Sequence, residues 1–450
     1  MDPRFLPHNK HLDDPVSFTH QDPQLRRLQQ QPYQFRSNLL GRLPVNAPGI
    51  YTLGGGRQIG KSTLLKQWMA DLLARGINPR ALAYFSGELI DDHHSLLLHM
   101  QSQLENVPGV ELNYLIVDEV TYIKDWDKAV KFAADAGMLE QTVLVLTGSD
   151  LSFIQEARMR FPGRRGKAYT TDYHLYPLSF REFLTLKNNR IEYNDLGPDS
   201  LELIYREFDQ YLLHGGYLTA INDLAEHQTI TPATFRVYSD WVRGDMLKRG
   251  KQEHYLKEIL SAIIRRYNSQ VTWNALARDL SIDHPKTVAD YVGLLESMDV
   301  VFVQAALLED KLAAAPKKAR RLMFCDPFIL HAIRAWIEPV VDPFREQVMP
   351  ALGDSVWASR IVEACVVTHH RRFYPSYYIK SEGEVDLAWV DKNRFWPVEI
   401  KWANQMRPKD LKQISKYPNG EIWGMSRVSG EINGVKSYPL PVRLLQLGQN

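Results

Sequence analysis

The chain has 450 residues, 44% of them hydrophobic and 24% charged, with a formal net charge of +1. That length holds two or three domains with proper cores, and the near-neutral balance predicts no global attraction to nucleic acid. Two cysteines, Cys325 and Cys365, exclude a disulfide framework and a Cys₄ zinc site and suit a reducing compartment.

The first residues are polar and mixed in charge, unlike a signal peptide. No apolar run approaches the ~20 residues that span a bilayer. The expected localisation is therefore cytoplasmic, with no membrane partner. Residues 1–48 are rich in Gln, Pro and His. They are expected to form an extended lead-in with one short helix over Asp22–Gln30. From Gly49 short apolar runs alternate with helical stretches: Gly49–Leu53, Ala81–Phe85, Tyr114–Asp118 and Thr142–Gly148. Such alternation predicts a parallel α/β sheet, here over 49–190.

Between the first run and its helix, residues 55–62 read Gly-Gly-Arg-Gln-Ile-Gly-Lys-Ser, a complete G-x-x-x-x-G-K-[ST] loop. The helix is marked by Leu64, Leu65, Trp68, Met69, Leu72 and Leu73 at helical spacing, closed by Gly76. A strand, a glycine loop (Gly55, Gly60) and a helix N-terminus present backbone N–H groups to a triphosphate. Lys61 would reach the β/γ-phosphates, and Ser62, with Thr63 beside it, would serve Mg²⁺. ATP and Mg²⁺ are the expected cofactors. Downstream, Leu115-Ile-Val-Asp118-Glu119 ends an apolar strand in two acids. Asp118 would hold the cation and Glu119 would orient the attacking water. Ser149 or Thr147, at the end of the next strand, is placed to sense the γ-phosphate. Arg164 or Arg165 is a candidate arginine finger given to a neighbouring subunit, which implies a homo-oligomer, with a hexameric ring among the options.

After about residue 180 the pattern turns helical, and 191–250 is expected to be a helical lid. Over 251–320, Val271–Leu280, the turn Ser281-Ile-Asp283, His284–Met298 and Val300–Val303 predict a helix-turn-helix with a winged tail. Its exposed face would carry His284, Lys286, Thr287 and Asp290 and is not strongly basic. Local basic clusters elsewhere, such as Lys317, Lys318, Arg320 and Arg321, read first as solvated surface.

In the last segment, 321–450, a hairpin is predicted at 384–402. Glu399 and Lys401, two apart on a strand, point to one face, where Asp386 can join them. Glu363, on a predicted helix Ser359–Val367, can complete the set, with Gln413 as an accessory residue. The D-x(12)-E-x-K pattern looks like the PD-(D/E)XK nuclease core, in which carboxylates (here Asp386 and Glu399) hold Mg²⁺ and a lysine helps activate water. The alternative is an ion pair on a hairpin.

The blocks Gly56-Arg-Gln-Ile-Gly-Lys-Ser62, Asp118-Glu119, Asp125-Trp126, Thr147-Gly-Ser149, Pro162-Gly-Arg-Arg-Gly166, Pro177-Leu-Ser-Phe-Arg-Glu-Phe183 and Gly215-Gly216 resemble, in order and spacing, a bacterial and archaeal branch of AAA+ ATPases. The resemblance implies a multidomain α/β chain. Its parts would be an N-terminal P-loop AAA+ ATPase with a parallel sheet, a helical lid, a winged helix, and a C-terminal α/β PD-(D/E)XK nuclease-like domain. The function it implies is ATP-driven work on single-stranded, double-stranded or branched DNA (a helicase, translocase or branch-migration factor), coupled to a Mg²⁺-dependent nuclease. The alternative is a nucleotide-switched signalling or defence ATPase whose C-terminal domain binds nucleic acid without cutting it.

Overall fold

Six-residue runs with no polar alternation must be covered on both faces, and the chain covers them with helices. In the computed structural model, which describes residues 1–107, 109–187, 197–282, 284–403 and 411–448, the chain divides into two units, Met1–Tyr176 and Pro177–Asn450. The expected turn residue Asp283 and the expected boundary between 190 and 191 lie outside the described residues.

The first unit is built on strands β1 (Gly49–Gly54), β2 (Leu82–Ser86), β3 (Asn113–Asp118), β4 (Thr142–Thr147) and β5 (Asp172–His174), all parallel in the order β2-β3-β4-β1-β5. Successive side chains serve opposite faces. Ile50, Leu144 and Leu146 enter one core, while Tyr51, Leu53, Val143 and Val145 enter the other.

The segment 1–48 departs from expectation: it is docked rather than extended. It contains helices α1 (Phe18–Gln21) and α2 (Pro23–Gln29), and its Phe5, Phe18, Leu25, Leu40 and Leu43 are buried in the two cores. Strand β2 is the edge of the sheet, and Asn9 satisfies it much as a neighbouring strand would. Its side chain accepts from Tyr84 N and donates to Tyr84 O, both at 2.8 Å. The Asp22 carboxylate caps α2 through Gln24 N and Leu25 N and pairs with buried Lys66 at 3.3 Å. Lys66 lies on α3 (Lys61–Ala74), the helix after the glycine loop, with its ammonium 3.8 Å from the centre of the Tyr84 ring. The rest of this unit is α4 (His93–Glu105), α5 (Trp126–Asp135) and α6 (Leu151–Arg160).

The second unit opens with α7 (Phe180–Leu186), α8 (Pro198–His214), α9 (Leu218–His227) and α10 (Pro232–Lys248). These include the expected lid helices, which group with the C-terminal part of the chain and not with the sheet of the first unit. Next come α11 (Glu253–Arg265), β6 (Gln270–Val271), α12 (Trp273–Arg278), α13 (Pro285–Ser297) and β7 (Val301–Ala305). A short hairpin of β8 (Leu307–Leu308) and β9 (Ala313–Ala314) leads to β10 (Arg320–Phe324), which pairs antiparallel with both β6 and β7. The boundary expected between residues 320 and 321 therefore falls inside a strand.

Helices α14 (Pro327–Ile337), α15 (Met349–Gly353) and α16 (Ser355–His370) precede an antiparallel run of β11 (Ser376–Lys380), β12 (Glu384–Asp391) and β13 (Arg394–Lys401). Lys392 and Asn393, both at positive φ, make the two-residue turn between β12 and β13. Strands β14 (Glu421–Gly424) and β16 (Val435–Pro439) extend the sheet in parallel, and β15 (Gly430–Ile432) closes its edge. A last helix spans Leu440–Gln446. The two parts of this unit are joined: Gln304 on β7 donates to Asp386 O at 2.9 Å, and the Tyr378 hydroxyl donates to Ala319 O at 2.6 Å. Among the described residues no helix is long and apolar enough to cross a membrane.

His11 tests the docking of the lead-in. Its Nε2 lies 2.9 Å from Leu82 O, and burial pulls its pKa down to about 4. A folded pKa below the unfolded value of ~6.5 gives stability that is full above that value and is lost as pH falls toward 4, at ~1.4 kcal/mol per unit. Hydrogen exchange of 1–48, corrected for intrinsic rates, should show protection falling by ~30-fold between pH 7.5 and 5. His11→Gln, which cannot titrate, should flatten that dependence; an unchanged profile in the variant assigns the sensitivity elsewhere.

Candidate functional site

Strand order builds the first candidate site. β4 lies between β1 and β3, so the end of β4 stands between the glycine loop and the two acids. Gly55 has φ +146°, and a Cβ there would stand 2.4 Å from Leu175 O; only glycine fits that approach. Gly60, also at positive φ, caps α3, and Thr63 lies in the first turn of that helix. Lys61 is buried, and its ammonium donates to Gly55 O and Gly56 O at 2.9 Å each. The Glu119 carboxylate is 3.6 Å from it. Burial lowers the Lys61 pKa against the pull of Glu119. Burial raises that of Glu119, with Lys61 opposing and Asp118 adding to the rise.

Asp118 is buried and accepts three hydroxyl hydrogen bonds. Ser62 Oγ donates to Oδ2 and Thr147 Oγ1 to Oδ1, each at 2.5 Å, and the Tyr84 hydroxyl also donates to Oδ2. Burial, then the charge of Asp118, pushes the Tyr84 pKa well above its usual range, so the phenol keeps its proton. Thr147 Oγ1 also accepts from Glu119 N at 2.8 Å. Of the two residues weighed at the end of β4, Thr147 touches the acids, whereas Ser149 sits buried two positions further on. Glu119 adopts a left-handed conformation just past β3, and its Oε2 is buried with no hydrogen-bond partner. Gly87 permits this turn, since a Cβ there would lie 2.4 Å from Glu119 O.

The two arginines expected as finger candidates part company. Arg165 is held within its own fold: it pairs with Asp172 at 2.6 Å and donates to Thr171 O and Ile50 O, stapling β5 to β1. Its side chain is only 11% exposed. Arg164 forms a more open pair with Asp135 at 2.5 Å, of a kind that contributes little to stability. Tyr84 and Gly87 stand at no motif spacing, whereas Arg57 is an unspecified position of the glycine loop whose Nη2 is 2.5 Å from the Tyr122 hydroxyl.

In the second unit, Asp386, Glu399, Lys401 and Glu363 do converge, but as a closed ionic cluster. Glu399 Oε1 is 2.6 Å from Lys401 Nζ. Asp386 Oδ2 accepts from Ile400 N at 3.0 Å. Arg321, expected on a basic surface, is instead buried among the acids: it pairs with Glu363 at 2.5 Å, with Asp386 at 3.3 Å and with Glu384. Of the two residues expected to hold a metal, Asp386 thus has one carboxylate oxygen facing the Arg321 guanidinium, and Glu399 has one on the Lys401 ammonium. Among the described residues no group of three or more His, Cys, Asp or Glu is set to hold a metal ion. Burial, then the charge of Asp386, raises the pKa values of Glu363 and Glu399. Gln413 accepts from Gly383 N at 3.1 Å and so braces the start of the hairpin.

Residues 47–184 match a family described as an AAA domain, and 205–339 match a domain of unknown function, DUF8612. An uncharacterized protein of Haemophilus influenzae is 24% identical over 260 residues. That match covers 55% of this chain and 60% of the relative, so the chain spans less than two thirds of that protein's length. Among solved structures, the walker-type ATPase paby2304 of Pyrococcus abyssi is similar at 13% identity and TM-score 0.43, covering 63% of this chain and 91% of that one. The Orc1 protein of Aeropyrum pernix in complex with DNA matches at 14% identity and TM-score 0.33, over 74% and 94%. The RuvB branch migration motor of Thermotoga maritima matches at 16% and 0.26, over 61% and 84%. The glycine loop, the acid pair and Thr147 all lie within residues 47–184, the segment that matches the AAA domain family.

Proposed function

We propose that the chain is a nucleotide-switched AAA+ ATPase whose second unit binds nucleic acid without cutting it. The observation that carries this reading is the seat of Arg321 among the acids of the second unit, in a chain whose glycine loop and acid pair are intact.

The first site fits ATP and Mg²⁺ by its donor set. The loop from Gly55 to Ser62 offers backbone N–H groups, Lys61 a buried cation, Ser62 and Asp118 hard oxygen ligands, and Glu119 a carboxylate oxygen that spends no hydrogen bond within the fold. Bound ATP·Mg²⁺ would supply the phosphoanhydride and the charge that neutralises it. Lys61 and the loop would hold the phosphates, Ser62 and Asp118 the cation. Thr147 would fix Asp118 and the backbone of Glu119 together, so that Glu119 orients water. Arg164 is the more exposed finger candidate, which makes turnover depend on a homo-oligomer.

Nucleic-acid binding is supported by element order. The sequence α11, β6, α12, α13, β7, β10, with its three-stranded antiparallel sheet, follows the winged-helix pattern. Exposed Lys286 on α13 and exposed Lys317 and Lys318 before β10 supply cationic contacts for a phosphate backbone. The six-stranded sheet with α16 before it and a hairpin carrying Asp386, Glu399 and Lys401 supports a nuclease-like ancestry, with DNA as the partner.

The expected ATP turnover is slow, on the order of 10⁻² s⁻¹ or less, as in nucleotide switches. Fluorescent-nucleotide titration and phosphate release should separate the roles. Lys61→Ala loses binding, while Glu119→Gln keeps binding and loses turnover by ~100-fold or more. Thr147→Val should bind normally and turn over about tenfold more slowly, since it removes orientation and not charge. A rate that climbs steeply with added DNA would replace the switch by a motor.

Duplex and single-stranded DNA should shift in a gel at low salt and remain whole with Mg²⁺ or Mn²⁺. Cleavage that disappears in Asp386→Ala would overturn the non-cutting reading, and no shift on any DNA would remove nucleic acid as the partner.

A further inference from the structure

We propose that Arg321 is a built-in counter-cation that excludes divalent metal from the acidic centre of the second unit. The inference deepens the non-cutting reading of that unit but does not depend on nucleic-acid binding.

Glu363 on α16, Glu384 and Asp386 on β12 and Glu399 on β13 are brought together by three different elements. Carboxylates this close repel unless a cation lies among them. Two basic side chains answer them. Lys401 holds Glu399 at 2.6 Å, and Arg321 spans Glu363, Glu384 and Asp386. An arginine suits this seat because its charge is permanent and its planar fork can serve two carboxylates at once. Burial works against the charge, and Glu363, Asp386 and Glu399 outweigh it, holding the guanidinium protonated. The Tyr378 ring lies under it at 5.1 Å.

A divalent metal needs several oxygens turned toward one point. Here the inward oxygens of Glu363 and Asp386 face Arg321 N–H groups, and the other oxygen of Asp386 is spent on Ile400 N. The remainder of the site is still shaped for a ligand: Glu399 Oε2 is buried with no hydrogen-bond partner, and so is Arg321 Nε. Glu399 thus keeps an unspent oxygen, while the guanidinium occupies the space among Glu363, Glu384 and Asp386. Arg321 is carried by β10, which pairs with β6 and β7 and not with the strands that bear the acids. The cation and its acids therefore belong to different sheets, and the seat is held by their packing.

The test is Mn²⁺ titration of the full chain without nucleotide, read by the electron paramagnetic resonance signal of free Mn²⁺, with thermal melting to confirm folding. The wild type should show no Mn²⁺ binding that depends on Asp386, so wild type and Asp386→Asn should give the same curve. Arg321→Met should gain one site, at least about tenfold tighter than any in the wild type. Adding Asp386→Asn to that variant should remove it. Arg321→Lys, which keeps the charge, should remain metal-free. Binding in the wild type that vanishes in Asp386→Asn overturns the proposal, as does a folded Arg321→Met chain that gains no site. If Arg321→Met does not fold, the wild-type comparison decides alone. A failure to bind DNA would leave these curves unchanged and would count only against the proposed function.

Discussion

The Asp118 carboxylate is the point on which the first unit turns. A buried carboxylate without partners costs several kcal/mol, and here every partner is a hydroxyl from a different element. Ser62 comes from α3, Tyr84 from β2 and Thr147 from β4. The acid can be satisfied only when helix and strands are all in register, so the sheet and the site are one constraint. Hydroxyls also suit the position chemically. They satisfy a carboxylate without an ion pair. An arginine or lysine in the same place would have stabilised the acid and spent it.

The second unit solves the same problem the other way. Its acids are held by Arg321 and Lys401, so the charge is balanced inside the fold. Breaking one partner of such a buried network exposes the other to the full desolvation cost, about 3–5 kcal/mol. Two acidic centres in one chain thus differ in what they leave available. One sets its central carboxylate among hydroxyl donors, and the other pairs its acids with Arg321 and Lys401.

What could be read in the sequence follows from how local each feature is. The glycine loop, the strand before it and the helix after it occupy one continuous stretch, so residue type and spacing were sufficient. The acid pair ended an apolar run and was equally legible. Tyr84 was not, because its hydroxyl reaches Asp118 through the pairing of β2 with β3, which no spacing records. The docked lead-in was missed because Phe5, Phe18, Leu25, Leu40 and Leu43 are too sparse to show a period. Arg321 was read as surface because it follows Lys317, Lys318 and Arg320. In a strand, though, Arg320 and Arg321 point to opposite faces, and only the pairing of β10 reveals which face is buried.

The same pairing explains why the second unit does not divide where its composition changes. An Ala-, Lys- and Pro-rich stretch usually marks a linker, and residues 305–320 have that character. Here the stretch is the return path between two strands of one sheet, β7 and β10, and the residue just past it supplies the charge that the neighbouring sheet requires. Gln304 supports the backbone of Asp386 from β7, and Gln270 on β6 donates to Glu384. All three strands of the small sheet therefore touch the acidic centre. The acids themselves are carried by α16, β12 and β13, which lie outside that small sheet, so the seat of Arg321 depends on how the two sheets pack.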